Sequence, residues 1–170
     1  MVPEARGLSS FLVRPFTDDD APALAALFHA AVHSIAGNHY CEAQLRAWSP
    51  EPPDPERFRA RARDGRLVLV AAGADGTPLA YGDLEPDGHI DHLYCRPDAA
   101  GTGVTAALYQ ALEAAARARG IARLHTEASE PARRFFLKQG FTVVSRNDFE
   151  VAGVAIHNWR MEKRLAALED

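Results

Sequence analysis

The chain has 170 residues and a formal net charge of −4, with 47% hydrophobic and 25% charged residues. This composition suits one globular domain, over residues 1–170, that buries a core without disulfide or metal staples; it excludes a disordered tail, a collagen-like chain and a coiled coil. The acidic balance lacks the basic excess of a general nucleic-acid binder.

Phe11 to Arg14 reads as a first strand stopped by Pro15, and Thr17-Asp18-Asp19-Asp20 supplies N-capping side chains and first-turn negative charge. Leu24, Leu27, Phe28, Ala31 and Ile35 recur at helical spacing, which predicts a helix to about Ala36, ended by Gly37-Asn38. A short helix over Cys41 to Trp48 precedes an extended connector of four prolines, and Glu56 to Arg63 reads as a further helix. Leu67 to Ala71 is a continuous apolar strand, Asp75-Gly76 a hairpin turn, Pro78 to Glu85 the next strand, and His89 to Cys95 a third strand by its alternation. A helix from about Val104 to Arg119 follows, then a strand over Ile121 to Glu127. A helix over Glu130 to Gln139 and a final hairpin around Ala152-Gly153 complete the chain. The pattern is that of an α/β domain.

Met1 to Ser10 has no apolar region of signal-peptide length, and Ala21 to Ile35, broken by Pro22, His29 and His33, is too short and polar to span a bilayer. Two cysteines, Cys41 and Cys95, with no CxxC pair predict a reduced, cytoplasmic protein without a metal site.

The informative segment is Leu93 to Thr105, which joins a strand to a helix through Gly101 and Gly103. Glycines there permit unusual backbone angles and close approach, and the first N–H groups of the helix point at the same place. A pyrophosphate would find backbone donors without a lysine. The loop lacks the Gly-Lys-Ser/Thr of a Walker motif and the third glycine of a dinucleotide fingerprint. Downstream, Ala132-x-x-Phe135-Phe136-x-x-x-Gly140-Phe141 follows a strand. Together with the start (Leu12-Val13-Arg14-Pro15-Phe16) and the end (Trp159-Arg160-Met161-Glu162-Lys163), these segments resemble the GNAT superfamily of acyl-CoA-dependent N-acetyltransferases over nearly the whole chain. His33 to Trp48 and Asp83 to Leu93 resemble its YafP-like bacterial subgroup most closely.

The resemblance implies a GNAT fold: a central, mixed, mostly antiparallel sheet of about seven strands, splayed at the acyl-CoA site and flanked by helices. It implies that Leu93, Tyr94 and Cys95 pair with the pantetheine arm. Ala100, Gly101, Thr102, Gly103, Val104 and Thr105 would hold the pyrophosphate, with Ser129 and Phe136 beside the cofactor. Three positions depart from the family: Ala100 replaces Gln or Arg, Thr105 replaces Gly or Ala, and Phe136 replaces the Tyr that often serves as general acid. His89 and Asp91 stand where several family members carry their base; on a regular strand they would share a face with Leu93 and Cys95, with His92 opposite. Glu127 is a third catalytic candidate, and His33, Tyr40, Trp48 and Asp83 are candidates for the acceptor wall. His33 lies one turn after His29, a pair lacking a third metal ligand nearby.

The expected activity is transfer of an acetyl group from acetyl-CoA, as co-substrate, to a primary amine of a small molecule or peptide. No metal, nucleic acid or membrane is expected to take part, and the protein is expected as a monomer or homodimer. One rival, motivated by Phe136, is a non-catalytic acyl-CoA-binding module; a second is a tRNA-acetylating toxin, which the acidic balance disfavours.

Overall fold

The computed structural model describes residues 10–34 and 39–166. The elements are β1 (Phe11–Pro15), α1 (Ala21–Ser34), α2 (Glu42–Trp48), α3 (Pro55–Ala62), β2 (Leu67–Gly73), β3 (Pro78–Leu84), β4 (Leu93–Cys95), α4 (Val104–Ala118), β5 (Arg123–Ala128), α5 (Glu130–Lys138), β6 (Thr142–Val151) and β7 (Val154–Arg164). The expected end of α1 at Gly37-Asn38 lies outside the described residues.

Local chemistry explains the boundaries. Before α1, the buried Asp20 carboxylate accepts the Thr17 N–H at 2.8 Å and grips Arg14 through two bonds of 2.8 and 2.9 Å. Asp54 caps α3 by accepting the Glu56 N–H, with Pro55 preset for the first turn. The β6–β7 hairpin turns on Ala152 and Gly153, both at positive φ (49° and 76°), the geometry that matches strand twist.

β1-β2-β3-β4 form one antiparallel sheet and β5-β7-β6 another. The seven strands expected are present as two halves that meet at one place. There Ile90 N–H donates to His125 O at 2.9 Å, His125 N–H donates to Gly88 O at 3.1 Å, and the buried Thr126 hydroxyl donates to Ile90 O at 2.7 Å. Beyond this bridge β4 and β5 share no ladder among the described residues, so the two halves part.

One expectation fails here. His89 to Cys95 is not a continuous strand; only Leu93–Cys95 pairs with β3. The reason is Asp83, whose Oδ1 accepts the N–H groups of both Asp91 and His92 at 2.9 Å. A side chain thus takes bonds that a ladder would use, and the segment bulges.

Adjacent residues of β2 feed opposite layers. Ala71, with Ala80 and Leu84 of β3, packs under Leu108, Leu112 and Ala116 of α4; Val70 and Ala72 pack with Leu24 and Leu27 of α1 and Phe58 of α3. A third cluster, Val32, Tyr40, Leu45 and Ile156, ties α1 and α2 to β7. Among the described residues no helix is long and apolar enough to cross a membrane.

Gly88 makes the junction possible. Its φ is +95°, and a Cβ there would stand 2.1 Å from Arg123 O. Gly76, at φ +84°, has open space around the same atom. Gly88→Ala is expected to cost about 3 kcal/mol or more in denaturant unfolding, against about 1–2 kcal/mol for Gly76→Ala, where only backbone strain applies. Equal losses would contradict the close approach.

Candidate functional site

Where the sheets part, a cleft of about 660 Å³ opens between β4 and the β5–α5 junction. That is the size of a small-ligand site. Leu93, Tyr94 and Cys95 line one wall; Glu127, Ala128, Ser129 and Ala132 line the other. Ala100, Gly101, Gly103 and Thr105 close one end, while Tyr40, Trp48 and the β6–β7 residues Phe149, Ile156 and His157 close the other.

The loop end is built from backbone donors. Gly101 and Gly103 both hold positive φ (75° and 86°), with nothing within 4 Å of either Cβ position. The N–H groups of Gly101, Gly103, Val104, Thr105 and Ala106 have no backbone acceptor among the described residues, while the α4 ladder begins with Ala107 N–H to Gly103 O. These orphan donors, at the positive end of a 15-residue helix, fit an anionic group such as a pyrophosphate. Thr102 turns its hydroxyl onto Ala99 O and does not line the cleft; Val104 buries its side chain in the core, leaving only its N–H for a ligand.

At the other end lie carboxylates in two charged groups. Glu127 Oε2 faces His89 Nε2 at 2.5 Å, and His89 Nδ1 faces Glu85 Oε2 at 3.2 Å. The hydrogen bond to Glu127, aided by Glu85 and opposed by burial, pushes the His89 imidazole up to about 9; the same bond holds Glu127 below the usual carboxylate range. His89 is therefore an imidazolium at neutral pH, clamped between carboxylates and stacked on His125, with ring centroids 4.9 Å apart. It lies outside the cleft lining, so the expected shared face of His89 with Asp91, Leu93 and Cys95 does not form. The bulge at Asp83 breaks the alternation.

Asp91 does line the cleft. Arg61 reaches it at 2.7 Å and Arg66 at 3.5 Å. Burial raises its proton affinity, but the Arg61 hydrogen bond and the surrounding positive charge outweigh it, and its pKa falls below the usual range. Asp83, expected at the acceptor wall, is only 2% exposed and off the cleft. Its Oδ2 accepts from Arg61 at 2.6 Å and Arg66 at 2.9 Å while Oδ1 holds the bulge. It is a buried post rather than a wall residue. His33 is off the cleft too, bonded to Ser49 O at 2.7 Å, with its ring 4.4 Å from that of His29. His92 is half-buried, packed against Phe28 and bonded to the Tyr81 hydroxyl, and desolvation pushes it down to about 4.

The remaining expected positions meet at the cleft. Ser129 lines it while its Oγ caps α5 by accepting the Ala132 N–H. Phe136 presents an edge to it but packs in the core against Tyr109 and Phe141. Tyr40 lines it with its hydroxyl accepting the Glu130 N–H at 3.0 Å, and its ring lies 5.8 Å from Trp48.

His157 and Asn158 were not singled out in the sequence, yet both line the cleft. His157 Nε2 meets Glu130 Oε1 at 2.9 Å, and the same oxygen accepts the Trp159 indole N–H at 2.7 Å. The signal lay in register: β5 pairs β7 with Ala128 opposite Trp159, so His157 stands just beyond the end of β5, where α5 begins. Among the described residues, no cluster of three or more His, Cys, Asp or Glu side chains could hold a metal.

An α/β domain with a sheet split beside a glycine loop at a helix N-terminus defines an acyltransferase-type architecture. The acetyltransferase (GNAT) domain family matches residues 36–163, and the chain belongs to that family. It is similar to the N-acetyltransferase YafP of Escherichia coli, with 25% identity over 154 residues covering 91% of this chain and 96% of that protein. It is 34% identical over 114 residues to an L-methionine sulfoximine/L-methionine sulfone acetyltransferase of Pseudomonas paraeruginosa, covering 60% of this chain and 61% of that one. Among solved structures, a GCN5-related N-acetyltransferase from Rhodopseudomonas palustris superposes with a TM-score of 0.84 at 37% identity, covering 93% and 98% of the two chains. The PaiA N-acetyltransferase of Thermoplasma acidophilum, in complex with coenzyme A, shares the fold with a TM-score of 0.73 at 20% identity, covering 92% of this chain and 99% of its own.

The clamped imidazolium has a pH signature. Its folded pKa, about 9, lies above the ordinary 6.5, so its stabilisation is full below pH 6.5 and is lost as pH rises through 9. An NMR titration is expected to place the His89 midpoint near 9, and Glu127→Gln to lower it by at least about one unit. A midpoint near 6.5 in the wild type would contradict the clamp.

Proposed function

We propose that this acetyltransferase moves the acetyl group of acetyl-CoA to a primary amine of a small molecule or peptide, by direct attack in a ternary complex. The observation that carries the reading is the cleft itself: two unpaired strand edges lead from a nest of orphan N–H groups to a pair of ionised carboxylates. The backbone of Leu93–Cys95 takes the amide groups of the pantetheine arm as an added strand, and the N–H groups from Gly101 to Thr105 take the pyrophosphate. That places the thioester near Tyr94, Ala128 and Ser129, where a backbone N–H polarises its carbonyl.

Glu127 is the group we assign to receive the amine proton, directly or through one water. It is ionised, lines the cleft, and is aimed by His89. A carboxylate of depressed pKa is a weak base, so its first task is to draw the cationic amine into the cleft; the ammonium loses one proton to solvent, the neutral amine attacks, and Glu127 takes the second proton as the N–C bond forms. Asp91 is tied up by Arg61 and serves as a second negative charge beside the amine. Tyr40 and Trp48 supply the acceptor wall, and the relative acting on L-methionine sulfoximine and sulfone makes an amino-acid-like amine the first acceptor to try. Both cysteines are free, in keeping with a reducing cytoplasm. A carrier that binds acyl-CoA without transfer is the second reading, favoured by the lack of a hydroxyl at Phe136.

Purified protein with acetyl-CoA and a panel of primary amines, L-methionine sulfone included, is expected to release free coenzyme A thiol in step with acetylated product. Acetyl-CoA binding without turnover on any amine would favour the carrier. Glu127→Gln is expected to lower kcat about 10²-fold or more with acetyl-CoA affinity within about twofold. Gly103→Val places a branched side chain at the mouth of the loop and strains a φ of +86°. It is expected to weaken acetyl-CoA binding by at least about 10²-fold by calorimetry while costing about 1–2 kcal/mol of stability. Unchanged affinity would overturn the loop assignment.

A further inference from the structure

The reaction needs a proton for the departing coenzyme A thiolate, and Phe136 has none to give. Its ring is 3% exposed and packed at 4.8 Å from Phe141, so no rotation brings another group into its place. Three of the other O–H and S–H groups around the cleft are committed: Ser34 donates to Ala31 O, Cys95 to Arg96 O and Thr126 to Ile90 O. Thr105 lies in the first turn of α4 at the loop end, and Ser129, an alcohol and a far weaker acid than a phenol, caps α5 by accepting the Ala132 N–H. Tyr94 is held within the aromatic cluster of Phe28, Tyr81 and His92.

Among the described residues around the cleft, Tyr40 alone is a phenol whose oxygen accepts a backbone N–H, a donor that can support its anion. Its hydroxyl is an acceptor, taking the Glu130 N–H at 3.0 Å, and its own O–H proton meets no acceptor among the described residues. Its ring is held on two sides, by Trp48 at 5.8 Å and His157 at 6.3 Å, so the hydroxyl is fixed at the β5–α5 junction, three residues beyond Glu127. We infer that Tyr40, arriving from the segment before α2, is the acid that protonates the leaving thiolate in place of the missing hydroxyl at Phe136. The inference rests on the acyl-transfer reading above.

The step balances. The amine nitrogen bonds to the carbonyl carbon and gives its proton to Glu127. The C–S bond breaks with its electron pair on sulfur, and sulfur takes the Tyr40 proton. The Glu130 N–H then supports the phenolate, and solvent protons reset both groups after the products leave. The titratable groups facing Tyr40 are Glu130 from α5, His157 from β7 and Tyr94 from β4. Burial raises the Tyr40 pKa, so the phenol is protonated throughout the neutral range and ready to donate.

The test uses acetyl-CoA with L-methionine sulfone, or the first amine of the panel that the wild type acetylates. Tyr40→Phe, which keeps the ring, is expected to lower kcat about 10²-fold while the acetyl-CoA Kd stays within about twofold, and to remove the alkaline limb of the kcat–pH profile. Replacing Tyr40 by 3-fluorotyrosine, a more acidic phenol, is expected to move that limb to lower pH, a shift that packing alone would not produce. Should Tyr40→Phe fail to fold, the fluorinated protein decides. A Tyr40→Phe enzyme with kcat within about twofold of wild type, or a limb that stays fixed on fluorination, would overturn the role of Tyr40. No transfer by the wild type to any amine would instead overturn the acyl-transfer reading and this inference with it.

Discussion

Everything in the site depends on two half-sheets that touch once and then separate. At Gly88–Ile90 and His125 the backbones are close enough that a single Cβ on Gly88 would meet the Arg123 carbonyl. A few residues on, β4 and β5 are both edge strands that share no ladder among the described residues. Unpaired strand edges are costly when buried and prone to unwanted pairing when exposed. An extended ligand with amide groups of its own satisfies both edges, and this is what makes the gap a binding site rather than a defect. The loop at Gly101 and Gly103, the start of α4 and the start of α5 all take their places from that separation.

Asp83 supports the split from behind. By accepting two N–H groups and holding two arginines it ends the β3–β4 ladder early and turns Asp91 toward the cleft. The charges are sorted in consequence: Arg61 and Arg66 neutralise Asp83 and Asp91, and His89 sits between Glu85 and Glu127. Among the described residues no lysine or arginine lines the cleft, and none is needed for a phosphate, because the loop offers oriented N–H groups. A net charge of −4 is therefore compatible with a highly anionic co-substrate.

Features set by local chemistry were legible in the sequence. The run of β2, the turn at Asp75-Gly76, the glycines before α4, the helix from Glu130 and the β6–β7 turn each follow from residues a few positions apart. What escaped was set across distance. Alternation from His89 to Cys95 predicted a strand, and the carboxylate of Asp83 overrode it. That also separated His89 from the face assigned to it. His157 entered the site through the pairing of β5 with β7, which leaves no short-range mark. Tyr40 was expected at the acceptor wall, but the hydrogen bond that fixes its hydroxyl spans 90 residues and was not legible. The substitution at Phe136 was visible as a loss, but its replacement was not, because that lies in how α2 docks on the β7 end of the cleft.

The most direct test of the account is a crystal structure of the protein with acetyl-CoA. The account predicts the pyrophosphate on the N–H groups of Gly101 to Thr105, and the pantetheine arm along Leu93–Cys95 between the parted sheets. The thioester should lie within reach of Glu127 and the Tyr40 hydroxyl. Acetyl-CoA bound outside this cleft, or a cleft left empty at saturating acetyl-CoA, would contradict it.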